Sequence, residues 1–175
     1  MTAGVLQIGN GSIGSVPTAS NISVASTGKL WLNEATGSSF TNSVINIGTV
    51  NFIQAGSLTV GGAISGSGAV IQSGSGATTL AAANSYSGPT SVGGGTLVAG
   101  SNAALGSNSA LNLGPATTLD LAGHSLALGS LLGSGLVTNS TGTAVVLSIG
   151  GNNITTQFDG LIQDGSGKTS FTKTG

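Results

Sequence analysis

The stretch Leu111-Asn112-Leu113-Gly114-Pro115-Ala116-Thr117-Thr118-Leu119-Asp120-Leu121-Ala122-Gly123-His124-Ser125-Leu126-Ala127-Leu128 carries one short pattern three times. In each copy two Leu residues flank a single spacer. Period-two alternation puts both Leu side chains on one face of a very short strand. The Gly, Pro, Asn and Ser residues between copies are turn formers. Leu111 to Leu119 is 8 positions and Leu119 to Leu126 is 7. Three such steps close a coil of roughly 20–24 residues, which is the arithmetic of a parallel β-solenoid with three short strands per coil.

The same unit recurs outward in both directions. Leu6-Gln7-Ile8, Ile22-Ser23-Val24, Leu30-Trp31-Leu32, Ile45-Asn46-Ile47 and Leu58-Thr59-Val60 precede it, and Val145-Val146-Leu147 with Ser148-Ile149 follows. Longer steps agree with the coil: Leu6 to Leu30 is 24, Ile22 to Ile45 is 23, and both Leu58 to Leu80 and Leu97 to Leu119 are 22. The spacing predicts about eight coils with little or no α-helix, a rod about 40 Å long at the strand spacing. Leu, Val, Ile and Ala fill the narrow interior in stacked rows. Gly serves the corners, and Asn is expected to ladder with Asn one coil up.

Composition supports this. The chain has 175 residues, 32 of them Gly, and only 4% charged residues, with no Cys and a mean hydropathy of +0.39. A net charge of −1 without Arg leaves no basic footprint for nucleic acid. The absence of Cys excludes a disulfide framework and thiolate metal sites. No apolar run is long enough for a transmembrane helix, and alternations of 3 to 5 residues with 6 aromatics do not make a membrane barrel, so no membrane insertion of this segment is expected. In a parallel stack like residues lie over one another, so aligned charges would repel and uncharged polar residues avoid the penalty.

A longer repeat overlies the coil. Gly4-Val5-Leu6-Gln7-Ile8-Gly9 with Ile13-Gly14-Ser15 resembles Gly95-Thr96-Leu97-Val98-Ala99-Gly100 with Leu105-Gly106-Ser107, about 91 positions on. Ile64-Ser65-Gly66-Ser67-Gly68 resembles Leu132-Gly133-Ser134-Gly135 and Ile162-Gln163-Asp164-Gly165-Ser166-Gly167. The chain therefore reads as one solenoid with modules 3–93 and 94–160, and 161–175 opening a third. Met1–Val5 shows no signal-peptide pattern, and Phe171-Thr172-Lys173-Thr174-Gly175 stops in mid-pattern. The chain is thus expected to be an excerpt of a longer one.

One set of residues carries a resemblance. Ile64, Gly66, Gly68, Gly74, Gly76 and Leu80 lead into Asn84-Ser85-Tyr86-Ser87-Gly88-Pro89-Thr90 and Val92. Gly95-Thr96-Leu97, Ala104-Leu105-Gly106, Leu119-Asp120-Leu121 and Leu131-Leu132-Gly133-Ser134-Gly135 follow. Phe158-Asp159-Gly160-Leu161-Ile162 and Asp164-Gly165-Ser166-Gly167 begin another copy. This resembles the autotransporter-associated β-strand repeat, or passenger-associated transport repeat, of Gram-negative autotransporters. It matches best over 62–175 and more loosely over 3–60. The resemblance implies a right-handed parallel β-helix at the outer cell surface or secreted. It implies a stalk whose repeats aid translocation and folding. The chain shows neither a leader nor a translocator barrel.

Candidate chemistry is sparse. His124 lies four residues after Asp120, but a Ser–His–Asp site needs convergence from separate elements and a nucleophile elbow, which the sequence lacks. Asp120 is expected to point outward and His124 to face solvent at a turn. Asp159 and Asp164 are the only close acidic pair, and paired carboxylates could serve a carbohydrate-active enzyme. Each nevertheless reads as a turn or strand-end residue, and a calcium site needs more oxygen ligands. Tyr86 is expected at a corner between coils with its hydroxyl at the surface. Trp31 is expected outward, where it could contact glycan or a partner. Thr78-Thr79, Thr117-Thr118 and Thr155-Thr156 would bind ice only if Thr ranks repeated at every coil.

These readings predict a structural or adhesive stalk segment, a rigid rod able to associate through its open ends, with no catalytic residues, cofactor or metal. The alternatives are a glycan- or ice-binding face, and then a carbohydrate-active β-helix enzyme.

Overall fold

The computed structural model describes residues 4–12, 14, 16–17 and 20–175. Met1–Ala3, and Ile13 and Ser15 of the first repeat copy, lie outside them. The described residues form strands and turns, with no helix. The strands stack in parallel on three faces as a β-solenoid of about eight turns.

The first face holds Val5–Ile8, Lys29–Leu32, Thr49–Phe52, Ala69–Gln72, Thr90–Val92, Ala110–Leu113 and Ser130–Gly133. The second holds Ser38–Phe40, Ser57–Val60, Ala77–Leu80, Thr96–Ala99, Thr118–Asp120, Leu136–Thr138 and Leu161–Ile162. The third is split. Ile22–Val24, Val44–Asn46 and Ile64–Ser65 form one part, and Leu126–Leu128, Val145–Ile149 and Thr169–Lys173 form the other. Ala110–Leu113, Thr118–Asp120 and Leu126–Leu128 are successive faces of one coil, as the Leu-x-Leu spacing predicts.

Register explains the core. On the first face Leu6, Leu30, Val50, Val70, Thr90, Leu111 and Leu131 form one inward row. Successive members are 24, 20, 20, 20, 21 and 20 residues apart. On the second face Leu58, Thr78, Leu97, Leu119 and Val137 stack likewise. Leu97 over Leu119 and Leu6 over Leu30 fall where the sequence puts them. Each fully buried Leu contributes about 1.5–3 kcal/mol, and only the coils above and below can bury it.

Three details depart from the sequence reading. Ile45 and Ile47 point outward at 49% and 51% exposed, while Val44 and Asn46 point in. Ile22 accordingly pairs with Val44, 22 residues on. Leu58 lies under Thr78 rather than Leu80, a step of 20, and Leu80 continues the row of Val60. The interior is also not purely apolar: Asn46, Gln54, Gln72, Thr78, Thr90, Ser109 and Asn139 are buried in it. Each makes at least one hydrogen bond, as buried polar groups require, although Gln54 Oε1 is left without a partner.

Two isoleucines on adjacent coils test this register. Ile64 is 0% exposed and Ile45 is 49% exposed. In urea unfolding, Ile64→Ala is expected to cost about 2–5 kcal/mol, and Ile45→Ala to stay within about 0.5 kcal/mol of the parent. Similar losses at both would overturn the register.

Candidate functional site

The motif around Asn84 sits where the third face loses its strands. Pro89 has no N–H to give to a ladder, and Ser101–Ser109 turns twice, with Ala104 N–H on Ser101 O and Ser109 N–H on Gly106 O. The backbone still carries Ser85 N–H to Ile64 O at 2.9 Å and Ser87 N–H to Gly66 O at 2.8 Å. The Asn84 side chain completes the connection. Its Oδ1 accepts from Ile64 N–H at 2.7 Å and its Nδ2 donates to Ala104 O at 2.6 Å. One buried amide thus bridges three coils. Asn46 also bonds backbone, donating to Ala69 O at 2.9 Å. The expected Asn-on-Asn ladder is replaced at these two residues by amide-to-backbone bridging.

Tyr86 corrects another expectation. It is 0% exposed, and its hydroxyl lies inside the solenoid. The hydroxyl is 2.8 Å from Thr90 Oγ1, which is 3.2 Å from Ser109 Oγ, which donates to Gly88 O at 2.7 Å. Ser109 spends its proton on Gly88, so Thr90 donates to Ser109 and Tyr86 donates to Thr90. Burial pushes the phenol up to about 12, and bonding to Thr90 and the Gly106 backbone offsets only part of this. Gly106 makes room: a Cβ there would collide with the Tyr86 carbonyl and approach its ring. Gly66, one coil the other way, has φ +99°, open to glycine at no steric cost.

The other motif residues are structural in position. Leu97, Leu119 and Leu121 lie in the core, with Leu105 buried beside them. Gly68, Gly88, Gly133, Gly135, Gly165 and Gly167 lie where a Cβ would run into the backbone of the neighbouring coil, and Gly95 turns at φ +61°. A second polar cluster was not legible as such. Gln54 Nε2 donates to Thr78 Oγ1 at 2.6 Å, Thr78 donates to Gln72 Oε1, and Gln72 Nε2 reaches Gly74 O and Gly76 O at 3.0 and 3.1 Å. Its only signal is register: Gln72 falls between Phe52 and Val92 in an inward row.

The residues weighed for catalysis do not converge. Asp120 Oδ1 accepts from Ala122 N–H at 2.9 Å and Ser140 N–H at 3.0 Å. His124 Nδ1 is 3.3 Å from Asn102 Oδ1, and the ring is half-buried rather than free in solvent. Asp159 accepts from Gln157 Nε2 and Asp164 from Thr169 N–H, each at 2.6 Å, so each carboxylate organises its own turn. No group of three or more His, Asp or Glu gathers among the described residues. One Thr of each of the first two pairs faces inward. Outward, Thr59 stacks on Thr79 and Thr96 on Thr118. Val98, Asp120 and Leu136 then interrupt both ranks. Trp31 points outward between buried Leu30 and Leu32, half-exposed.

Residues 70–99 match the Passenger-associated-transport-repeat family. No curated protein and no solved structure matches the chain. The matched residues include Asn84, Tyr86 and Gly88, which span the interrupted face, and Gly95 and Leu97, which lead into and lie on the second face. This repeat, set in a β-solenoid, supports a structural segment of the autotransporter-passenger type.

Two measurements probe the motif. Asn84→Ala strands a buried N–H and a buried C=O, so it is expected to cost about 2–4 kcal/mol. Recovery of parent stability in this variant would remove Asn84 from its bridging role. Tyr86 is the sole tyrosine, so tyrosinate absorbance reports it alone. Its folded pKa is raised from 10.0. Its stabilising contribution is therefore full below pH 10 and lost between pH 10 and about 12, on the order of 2–3 kcal/mol. Tyr86→Phe is expected to flatten that loss. An ordinary phenol titration in the folded protein would contradict the burial.

Proposed function

We propose that this segment is a rigid, nearly uncharged rod that spaces and displays neighbouring parts of a surface or secreted passenger, and that its open ends are points of continuation. The observation that carries this is the pair of seven-stranded parallel ladders running the length of the chain. Backbone hydrogen bonds lie along the axis on every face, so bending the rod means stretching them. The solenoid supplies stiffness and, among the described residues, no convergent reactive groups, which favours a mechanical role over the enzymatic one.

The ends support the second half of the reading. Leu6 occupies the same inward row as Leu30, yet it is 56% exposed against 1%. Phe171 continues the row of Leu126 and Leu147 at 53% exposed. An apolar hollow of about 370 Å³ opens beside Leu6, Ile22, Val24 and Leu30. Further coils of a longer chain would cover these residues, and so would a second copy stacked head to tail. A head-to-tail contact does not close on itself and yields fibres.

Sedimentation and negative-stain imaging across a concentration series test this. Rods about 40 Å long and end-to-end multiples that grow with concentration are expected. Leu6→Lys combined with Phe171→Lys should return the single rod. A parent chain that stays monomeric at high concentration would remove the stacking reading, and a globular particle would remove the rod.

A further inference from the structure

Trp31 is the only Trp in the chain, and the fold does not use it as core. Leu30 and Leu32 on either side are each 1% exposed and fill the interior. Phe40, Phe52 and Tyr86 are buried at 4%, 0% and 0%. Trp31 alone among the aromatics of these central coils stands on the outside of a flat parallel sheet. An indole there offers a broad apolar face with a polar edge.

Its neighbours along the ladder are amides. Gln7 pairs with Trp31 on one side and Asn51 on the other, one coil away each. Gln7 Nε2 is engaged with Gly9 O at 2.8 Å, which leaves Oε1 as an outward acceptor. Asn51 Oδ1 is engaged by Ser73 Oγ at 2.9 Å, which leaves Nδ2 as an outward donor. The row thus presents an acceptor, an aromatic plate and a donor in sequence. Beyond Asn51 the row passes through the apolar Ile71 to Ser91 and Asn112 and then reaches Leu132, so the acceptor–plate–donor set is confined to Gln7, Trp31 and Asn51. Among the described residues Lys29, on the same strand as Trp31, is the only charge beside it, and no carboxylate lies in the row.

We propose that this row is a binding platform for a neutral polysaccharide, an extended β-1,4-linked pyranose chain lying along the rod axis with one sugar stacked on Trp31. A pyranose has an apolar C–H face that fits an indole, and equatorial hydroxyls that both donate and accept at its edges. Successive side chains of the row stand about 4.8 Å apart, close to the advance per sugar of an extended β-1,4 chain. Each coil therefore meets one sugar. An anionic ligand would demand a basic cluster, which Lys29 alone does not make. The platform goes beyond the rod reading and does not depend on end-to-end stacking: the rod is tested by particle shape, the platform by ligand binding.

Because Trp31 is the sole tryptophan, its fluorescence reports the site directly. Titrating the intact chain with cellohexaose and chitohexaose is expected to shift and saturate that emission, while maltohexaose, whose α-1,4 linkage curls the chain, should not. Binding followed by calorimetry should weaken at least tenfold in Trp31→Ala, persist within about threefold in Trp31→Tyr, and weaken several-fold in Asn51→Ala. Thermal melts within a few degrees of the parent would show that these outward substitutions leave the solenoid intact. No saturable response to either β-1,4 hexasaccharide, or unchanged affinity in Trp31→Ala, would overturn the proposal. So would equal binding of maltohexaose.

Discussion

Each coil lies one strand spacing, about 4.8 Å, from the next, so every residue rests on the residue one coil away. That constraint explains the composition. Charges in register would repel across a distance too short for screening to help. The chain has few, and the ladder keeps them apart: Lys29 lies between Val5 and Thr49, and Asp120 between Val98 and Thr138. Close approach at the corners explains much of the glycine. At Gly62, Gly76 and Gly88 a Cβ would collide with the backbone of the coil below.

The same spacing explains the buried polar groups. A stack of Leu and Val rows alone is tolerant of sliding, because one apolar residue replaces another. Asn84 bridging Ile64 and Ala104, and the chain from Tyr86 through Thr90 and Ser109 to Gly88, accept one register only. They stand at the interruption of the third face, where the backbone ladder is weakest. The matched repeat thus marks the place where side chains take over from backbone hydrogen bonds, which links the motif to assembly of the rod.

The sequence made the fold legible where inward residues are Leu and the corners Gly. Leu97 and Leu119, 22 apart, reveal the coil because Leu97-Val98-Ala99 and Leu119-Asp120-Leu121 are each short apolar-x-apolar units flanked by turns. It misled where a polar residue faces in. Asn46 occupies an inward position, so Ile45-Asn46-Ile47 reads as a core unit although Val44 and Asn46 are the buried pair. Thr78 did the same to the step from Leu58. The burial of the Tyr86 hydroxyl is not legible locally, because the Thr90–Ser109 relay that satisfies it comes from two later segments. Gln54 and Gln72 gave no signal of their own, since single residues do not show which inward row they join.

Native-state hydrogen exchange tests the central claim that the stack of coils is one cooperative unit. Amides of the central rows, including Val50, Val70, Leu97, Leu111 and Leu119, are expected to exchange together at the rate of global unfolding, with protection falling off toward both ends. Central amides that exchange at separate rates, coil by coil and far faster than global unfolding, would contradict it.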